Sequence, residues 1–320
     1  APAAEPGELP GGTFRAMATD VHVQMVAPSL DPDTLVARAA EVFAGIEAAC
    51  TRFDPASPLM RANARPRRWT AVPPACLDVL AVALRAHRRT DGLFDPRVLA
   101  TLASWGYDRT LPFGAGGVTV PDAQAEPARP RGPWAPRLDP ERGRVKLGSH
   151  PVDLGGIGKG RAVDLAATAL EPDTAAVCVE AGGDVAVRGA GPLGRGWNVG
   201  VEDPGGGTDP LAVLTVRDAG VATSSTRVRR WSVAGRTVHH LVDPRTGQPA
   251  TTGLLAVTVV APATGWAEVW SKVLFLHGAQ RVREEAERRG LAALWVSDDG
   301  RVGHSTALEA YLTWQAPDVG

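Results

Sequence analysis

The stretch Asp153-Leu154-Gly155-Gly156-Ile157-Gly158-Lys159-Gly160 sets four glycines between a strand-like segment and a helical one. Glycine tolerates positive φ and lets the backbone approach a ligand with no Cβ in the way. Free N–H groups at the start of the following helix would face that ligand and favour an anion, and Lys159 adds a positive charge. Two familiar phosphate fingerprints fail. The spacing is not GxGxxG, and Gly-Lys is followed by Gly160 where a P-loop needs Ser or Thr. On residue chemistry alone the segment is either a tight structural turn or a phosphate-holding loop.

The surrounding pattern sets the frame. Val21, Val23 and Met25 alternate with His22 and Gln24, the mark of a half-buried strand. Asp31-Pro32 opens a helix whose apolar stripe is Leu35, Val36, Ala39, Val42, Phe43 and Ile46. A second helix begins near Pro74, carries Leu77, Leu80, Ala81 and Leu84, and ends in the basic turn Arg85–Arg89 before Asp91-Gly92. Residues 1–12 are rich in Pro and Gly and are expected to be disordered, and residues 111–140 read as an irregular loop. Beyond the glycine cluster a helix is predicted over 162–170, with strands at 175–179, 185–188, 197–202 and 211–217. A hairpin of 228–233 and 237–242 follows around Ala234-Gly235, then a strand over 253–260, one or two helices within 266–290, and strands at 291–296 and 301–305. Strands and helices alternate irregularly, which favours a mixed α+β fold over a doubly wound parallel sheet.

Composition excludes several function classes. With 320 residues, 44% hydrophobic and 22% charged, the chain has the balance of a soluble globular protein. A formal net charge of -1 gives no reason to expect nucleic acid or an anionic membrane as partner. No apolar run reaches the ~18 residues a membrane span needs. The start, Ala1-Pro2-Ala3-Ala4, lacks a signal peptide's basic and apolar regions, but a processed chain looks the same, so either a cytoplasmic or an exported location is open. Cys50, Cys76 and Cys178 are odd in number and widely spaced, and are expected to be buried free thiols.

Four further constellations carry chemistry, each with a plain structural alternative. Thr90-Asp91-Gly92-Leu93-Phe94-Asp95-Pro96 sets two carboxylates around a helix stop. Ala181-Gly182-Gly183-Asp184 links two strands as a hairpin turn would. Thr223-Ser224-Ser225-Thr226 is a hydroxyl run after a strand, suited to phosphate or to water. His239-His240-Leu241-Val242-Asp243-Pro244-Arg245-Thr246-Gly247 puts an imidazole and a carboxylate at a Pro-bounded turn, where a proton can be moved at neutral pH.

Taken in order, these pieces resemble the FAD:protein FMN transferase (ApbE) family over about residues 14–305. Met17-Ala18-Thr19 is similar to the family's Met-Gly-Thr strand, and Phe53-Asp54-Pro55-Ala56-Ser57 with Asn63 to its Asp-x-x-Ser…Asn segment. Thr90–Pro96 with Trp105-Gly106-Tyr107, and Val152–Gly160 with Asp164, resemble its two longest signatures; Gly182-Gly183-Asp184, Thr223-Ser224 and His240–Gly247 follow in family order. The resemblance implies one bilobal catalytic domain over 13–320, with FAD bound between lobes. It implies transfer of FMN from FAD to a threonine or serine hydroxyl of an acceptor protein, with release of AMP. His240 and Asp243 become the candidates for proton handling. Met17, Thr19, Asn63, Asp91, Phe94, Asp95, Asp153, Gly155, Gly156, Lys159, Asp164, Gly183, Asp184, Thr223, Ser224, Arg245 and Thr246 become the nucleotide-binding set.

One departure stands out. The family holds magnesium through an Ala-Asp-x-x-x-Thr segment and the backbone of its glycine motif. Here those places are Gly158, Glu268 and Lys272. Either Lys272 takes the place of a ligand or of the ion, or it points away, paired with Glu268 as an i, i+4 neighbour, and magnesium binds through other oxygens. Two other readings share the same binding residues: an FAD pyrophosphatase giving FMN and AMP, and a non-catalytic FAD-binding protein.

Overall fold

The alternation of Val21, Val23 and Met25 ends as a strand with those three side chains out of reach of solvent. The computed structural model describes residues 9–113, 118–120, 132–227 and 229–316. The N-terminal part supplies β1 (Gly11–Ala16), β2 (Thr19–Val26), α1 (Pro32–Cys50), α2 (Pro58–Ala64), β3 (Thr70–Ala71), α3 (Pro74–Arg89) and α4 (Leu99–Ser104). The middle adds β4 (Thr119–Val120), β5 (Arg137–Asp139), β6 (Arg144–Lys146), α5 (Gly158–Leu170), β7 (Ala176–Ala181), β8 (Asp184–Arg188), β9 (Trp197–Val201), β10 (Ala212–Val216) and β11 (Ala219–Ser225). The remainder is β12 (Arg230–Val233), β13 (Arg236–His239), β14 (Val242–Asp243), β15 (Gln248–Pro249), β16 (Leu254–Ala261), α6 (Thr264–His277), α7 (Val282–Arg289), β17 (Ala292–Ser297), β18 (Val302–His304) and β19 (Leu312–Gln315).

Eight strands form one sheet in the order β1-β2-β7-β8-β11-β16-β17-β18. Every neighbouring pair in it is antiparallel, in keeping with a mixed α+β fold and not with a doubly wound parallel sheet. Because side chains alternate across a strand, each strand feeds two layers. Val177, Val179 and Ala181 of β7 join α1, α3 and α5 in one core. Ala222 of β11, with Val257 and Val259 of β16, packs under α6 and α7. The out-of-phase residues, Val221 and Val260, face the small sheet β9-β10-β19 on the other side. A fourth cluster around Trp105, Val120, Trp231 and Val233 joins α4 to β4, β12 and β13.

Sequence expectations hold closely for the long periodic elements. The Asp31 carboxylate accepts from the Thr34 N–H at 3.1 Å and caps α1. The helical stretch within 266–290 is two helices, α6 and α7, divided at Gly278 with φ 79. Three expectations are corrected. β1 begins at Gly11, inside the segment expected to be disordered, because it pairs with β2 from Gly11 onward; residues 1–8 lie outside the described residues. The irregular loop over 111–140 contains β4 and the whole of β5, while 114–117 and 121–131 lie outside the described residues. Helix α5 starts at Gly158, not at Ala162, so Gly158 and Gly160 are helical. The three cysteines are free, as expected, but only Cys76 is fully buried; Cys50 and Cys178 are half-buried.

Candidate active site

The reason for glycine at the head of α5 is a close helix crossing. A Cβ on Gly160 would stand 2.9 Å from Glu268 Oε2 and 3.0 Å from both the Gly265 Cα and the Thr264 carbonyl of α6. Asp164, one turn along α5, completes the junction: its two carboxylate oxygens accept from the Thr264 and Gly265 N–H groups at 2.8 and 2.9 Å. Those N–H groups are orphans of the first turn of α6, so Asp164 caps that helix from another one. Upstream, Asp153 Oδ1 accepts from the Gly155 N–H at 2.8 Å and folds the glycine segment, while its own N–H donates to the Pro96 carbonyl at 2.7 Å. Asn63 clamps the preceding residue, exchanging two 2.8 Å bonds with the Val152 backbone.

Lys159 does not stand free in the groove. Its Nζ donates to the carbonyls of Ala181 and Gly182 at 2.6 and 3.1 Å and pairs with Asp184 Oδ2 at 2.8 Å. The β7–β8 turn is thus held beside α5, with Gly182 and Gly183 at φ 53 and 85, the hairpin geometry their spacing suggests. Thr19 lies against the same turn, since a Cβ on Gly182 would meet its Oγ1 at 2.7 Å. Met17 and Ala18 form the neighbouring β1–β2 turn at φ 50 and 61, a turn where a strand was expected. Burial pushes the Asp184 carboxyl up to about 6; the Lys159 charge works against burial, Glu268 works with it, and Lys272 opposes it.

Glu268 and Lys272 occupy the same corner from α6. Glu268 Oε2 accepts from the Gly160 N–H at 3.0 Å, and Oε1 pairs with Lys272 Nζ at 3.0 Å. The lysine stem lies over the glycine segment: a Cβ on Gly156 would be 3.3 Å from Lys272 Cε and 3.7 Å from the Phe94 ring. The Lys272 charge also reaches His240. Burial holds that imidazole well below the ordinary histidine value, and the charges of Arg229, Lys272 and His239 push the same way. His240 Nδ1 lies 3.4 Å from the Arg229 carbonyl, which only accepts, so the contact places the proton on Nδ1 and leaves the Nε2 lone pair available.

Not every predicted residue meets there. Ser224 does: its Oγ is 2.8 Å from Ser271 Oγ on α6. Thr223 is one residue out of phase, exposed, and bonded to Thr258 at 2.9 Å on the opposite face of the sheet. The hydroxyl run lies inside β11 rather than after it, and strand alternation therefore separates the two hydroxyls. Asp243 is engaged by Arg245, whose Nε and Nη2 donate to it at 2.9 and 2.8 Å, and Thr246 donates its N–H to the Asp243 carbonyl at 3.2 Å. Arg245 also reaches the Leu276 carbonyl at 2.8 Å, near the far end of α6. Asp91 sits exposed at the end of α3 with φ 51, and Asp95 pairs with Arg97 at 2.7 Å. Arg52 was not expected here. Its Nε is 3.5 Å from Asp153 Oδ2, and its guanidinium lies 4.1 Å over the Tyr107 ring. A lone arginine carries no spacing signal, so the sequence offered no way to single it out.

Comparison with known proteins identifies the family and the fold. The ApbE family model matches residues 17–295. The FAD:protein FMN transferase of Klebsiella pneumoniae is 30% identical over 271 residues, covering 82% of this chain and 74% of that one. That of Treponema pallidum is 30% identical over 308 residues, covering 84% and 82%. Among solved structures, the ApbE protein of Thermotoga maritima superposes with a TM-score of 0.81 at 27% identity, covering 94% of this chain and 98% of that one. The apo flavinyl transferase ApbE of Pseudomonas stutzeri shares the fold with a TM-score of 0.77. Sequence and fold together make this chain a member of the ApbE family.

Proposed function

We propose that this protein moves FMN from FAD to a threonine or serine hydroxyl of an acceptor protein and releases AMP. The observation that carries the reading is the convergence at the head of α5 of the glycine segment, the Lys159–Asp184 and Glu268–Lys272 pairs, and a neutral His240. The relatives named FAD:protein FMN transferase support the same chemistry. The flavin nucleotide would lie between the main sheet's helical layer and the smaller β4–β12–β13 unit, the two lobes of the site.

In the reaction the acceptor hydroxyl oxygen forms a bond to the phosphorus of the FMN half. The bridging P–O bond breaks, and its electron pair leaves on the phosphate of AMP. The hydroxyl proton passes to His240 Nε2. Such a displacement depends on alignment and charge neutralisation more than on covalent help from the protein. Asp153 shapes the glycine segment, Asp164 fixes α6 against α5, and Asp243 with Arg245 orders the turn that follows His240.

Magnesium, which the resemblance implies, does not fit this donor set. Both Glu268 oxygens have partners, one an ammonium, and an ammonium repels a divalent ion instead of ligating it.

The test is incubation with FAD and a threonine-bearing acceptor protein, read by mass spectrometry and AMP release. Acceptor mass rising by the FMN moiety, with one AMP per event, is expected. AMP with only free FMN would make the protein a pyrophosphatase, and tight FAD binding without AMP would make it a binding protein.

A further inference from the structure

We propose that Lys272 is the resident cation of this site: tethered by Glu268, its ammonium neutralises the pyrophosphate of FAD where a divalent ion would otherwise be needed, so the protein works without metal. This rests on the flavin transferase reading. Four observations carry it. The ammonium is held at 3.0 Å by a carboxylate whose other oxygen is fixed by the Gly160 N–H, so its position is set from both helices. Its stem crosses Gly156, the residue whose missing side chain leaves room for it. Its side chain keeps 19% exposure while Glu268 keeps 5%, so the lysine is the more accessible member of the pair. Finally, the two carboxylates of this corner, Asp184 and Glu268, each already have a lysine partner, so neither is an unpaired ligand for a divalent ion.

An ammonium carries three donors; Glu268 Oε1 takes one at 3.0 Å and the Glu268 carbonyl a second at 3.5 Å, leaving one N–H group for a phosphate oxygen. A lysine is a point charge that phosphate accepts from many directions, so it supplies neutralisation without the fixed geometry magnesium demands. During transfer the new O–P bond forms and the bridging P–O bond breaks as given above. Negative charge accumulates on the AMP phosphate and is met by the ammonium; no proton moves to or from Lys272.

The experiment measures FAD binding by flavin fluorescence and AMP release with a threonine-bearing acceptor. Native protein is compared in excess chelator and in excess magnesium, beside Lys272→Thr and Lys272→Arg. Native protein is expected to bind FAD within about twofold in the two conditions, and to release AMP equally. Lys272→Thr should lose about tenfold to a hundredfold in FAD affinity in chelator, the span of a charge-assisted contact, and recover with magnesium, while Lys272→Arg stays near native. A native protein whose FAD affinity rises tenfold or more with magnesium overturns the inference, and so does Lys272→Thr binding FAD normally in chelator. The native comparison needs no variant, so a misfolded Lys272→Thr does not protect the idea. Folded native protein that binds no FAD in either condition overturns the underlying flavin reading, a result distinct from magnesium dependence.

Discussion

His240 illustrates how burial chooses a protonation state. Its imidazole stays neutral well below pH 6.5 in the folded protein, since burial first, then the Arg229 and Lys272 charges and the neighbouring His239, oppose the imidazolium. A neutral ring accepts a proton, so His240→Asn should slow AMP release by roughly 10²–10⁴-fold while FAD affinity measured by fluorescence holds within about threefold. The same shift fixes a stability sign. Between the depressed folded value and the ordinary one the unfolded chain binds more protons, so this histidine costs stability as pH falls below about 6.5. Asp184 runs the other way: with its carboxyl raised to about 6 from 3.8, the folded state binds more protons between those values and loses stability as pH rises through them. Urea midpoints of native protein against Asp184→Asn should therefore diverge between pH 4 and 6, by at most about 3 kcal/mol. Midpoints that run parallel would show that Lys159 fully offsets the burial.

At the scale of elements the α5–α6 crossing is the joint of the site. Asp164→Ala leaves two buried N–H groups of α6 without a partner, a loss of about 2–3 kcal/mol in urea denaturation. Gly160→Ala forces the helices apart, because the intruding Cβ meets Gly265 Cα and the Thr264 carbonyl as well as Glu268. It should lower the unfolding midpoint and weaken FAD binding together. How legible this was differs by element. The stripes of α1 and α3 and the alternation of β2 gave their elements directly, since burial follows period there. The glycine segment misled in part: it reads as a turn, yet Gly158 and Gly160 are helical, and the need for glycine at 160 comes from α6, about a hundred residues away in sequence. Likewise nothing local tells whether Thr223 or Ser224 faces α6. Parity within β11 decides it, and parity depends on strand bounds that the hydroxyl run obscures.

For the whole molecule, one antiparallel sheet clad on one face by helices and on the other by β9, β10 and β19 leaves few reactive groups exposed. A hydrogen bond to the Cys76 thiol and burial push the Cys50 thiol well above its ordinary value, and burial with the Glu180 charge pushes Cys178 up to about 12. Thiolate is the reactive form, so alkylation at neutral pH should be slow for native protein and fast after denaturation. Rapid native labelling at Cys178 would contradict its burial. The mixed α+β class was readable from the irregular order of elements, whereas the antiparallel pairing and the meeting of α5, α6 and the β7–β8 turn were not, the latter because each contributes only one or two charged residues. Those residues are Lys159, Asp184, Glu268 and Lys272, and their formal charges cancel. A corner that is neutral in sum exerts little pull on an anion at a distance, even though each pair is strong at contact. Encounter with a nucleotide is then governed by shape, not by long-range attraction, and the association rate should change little as ionic strength is raised.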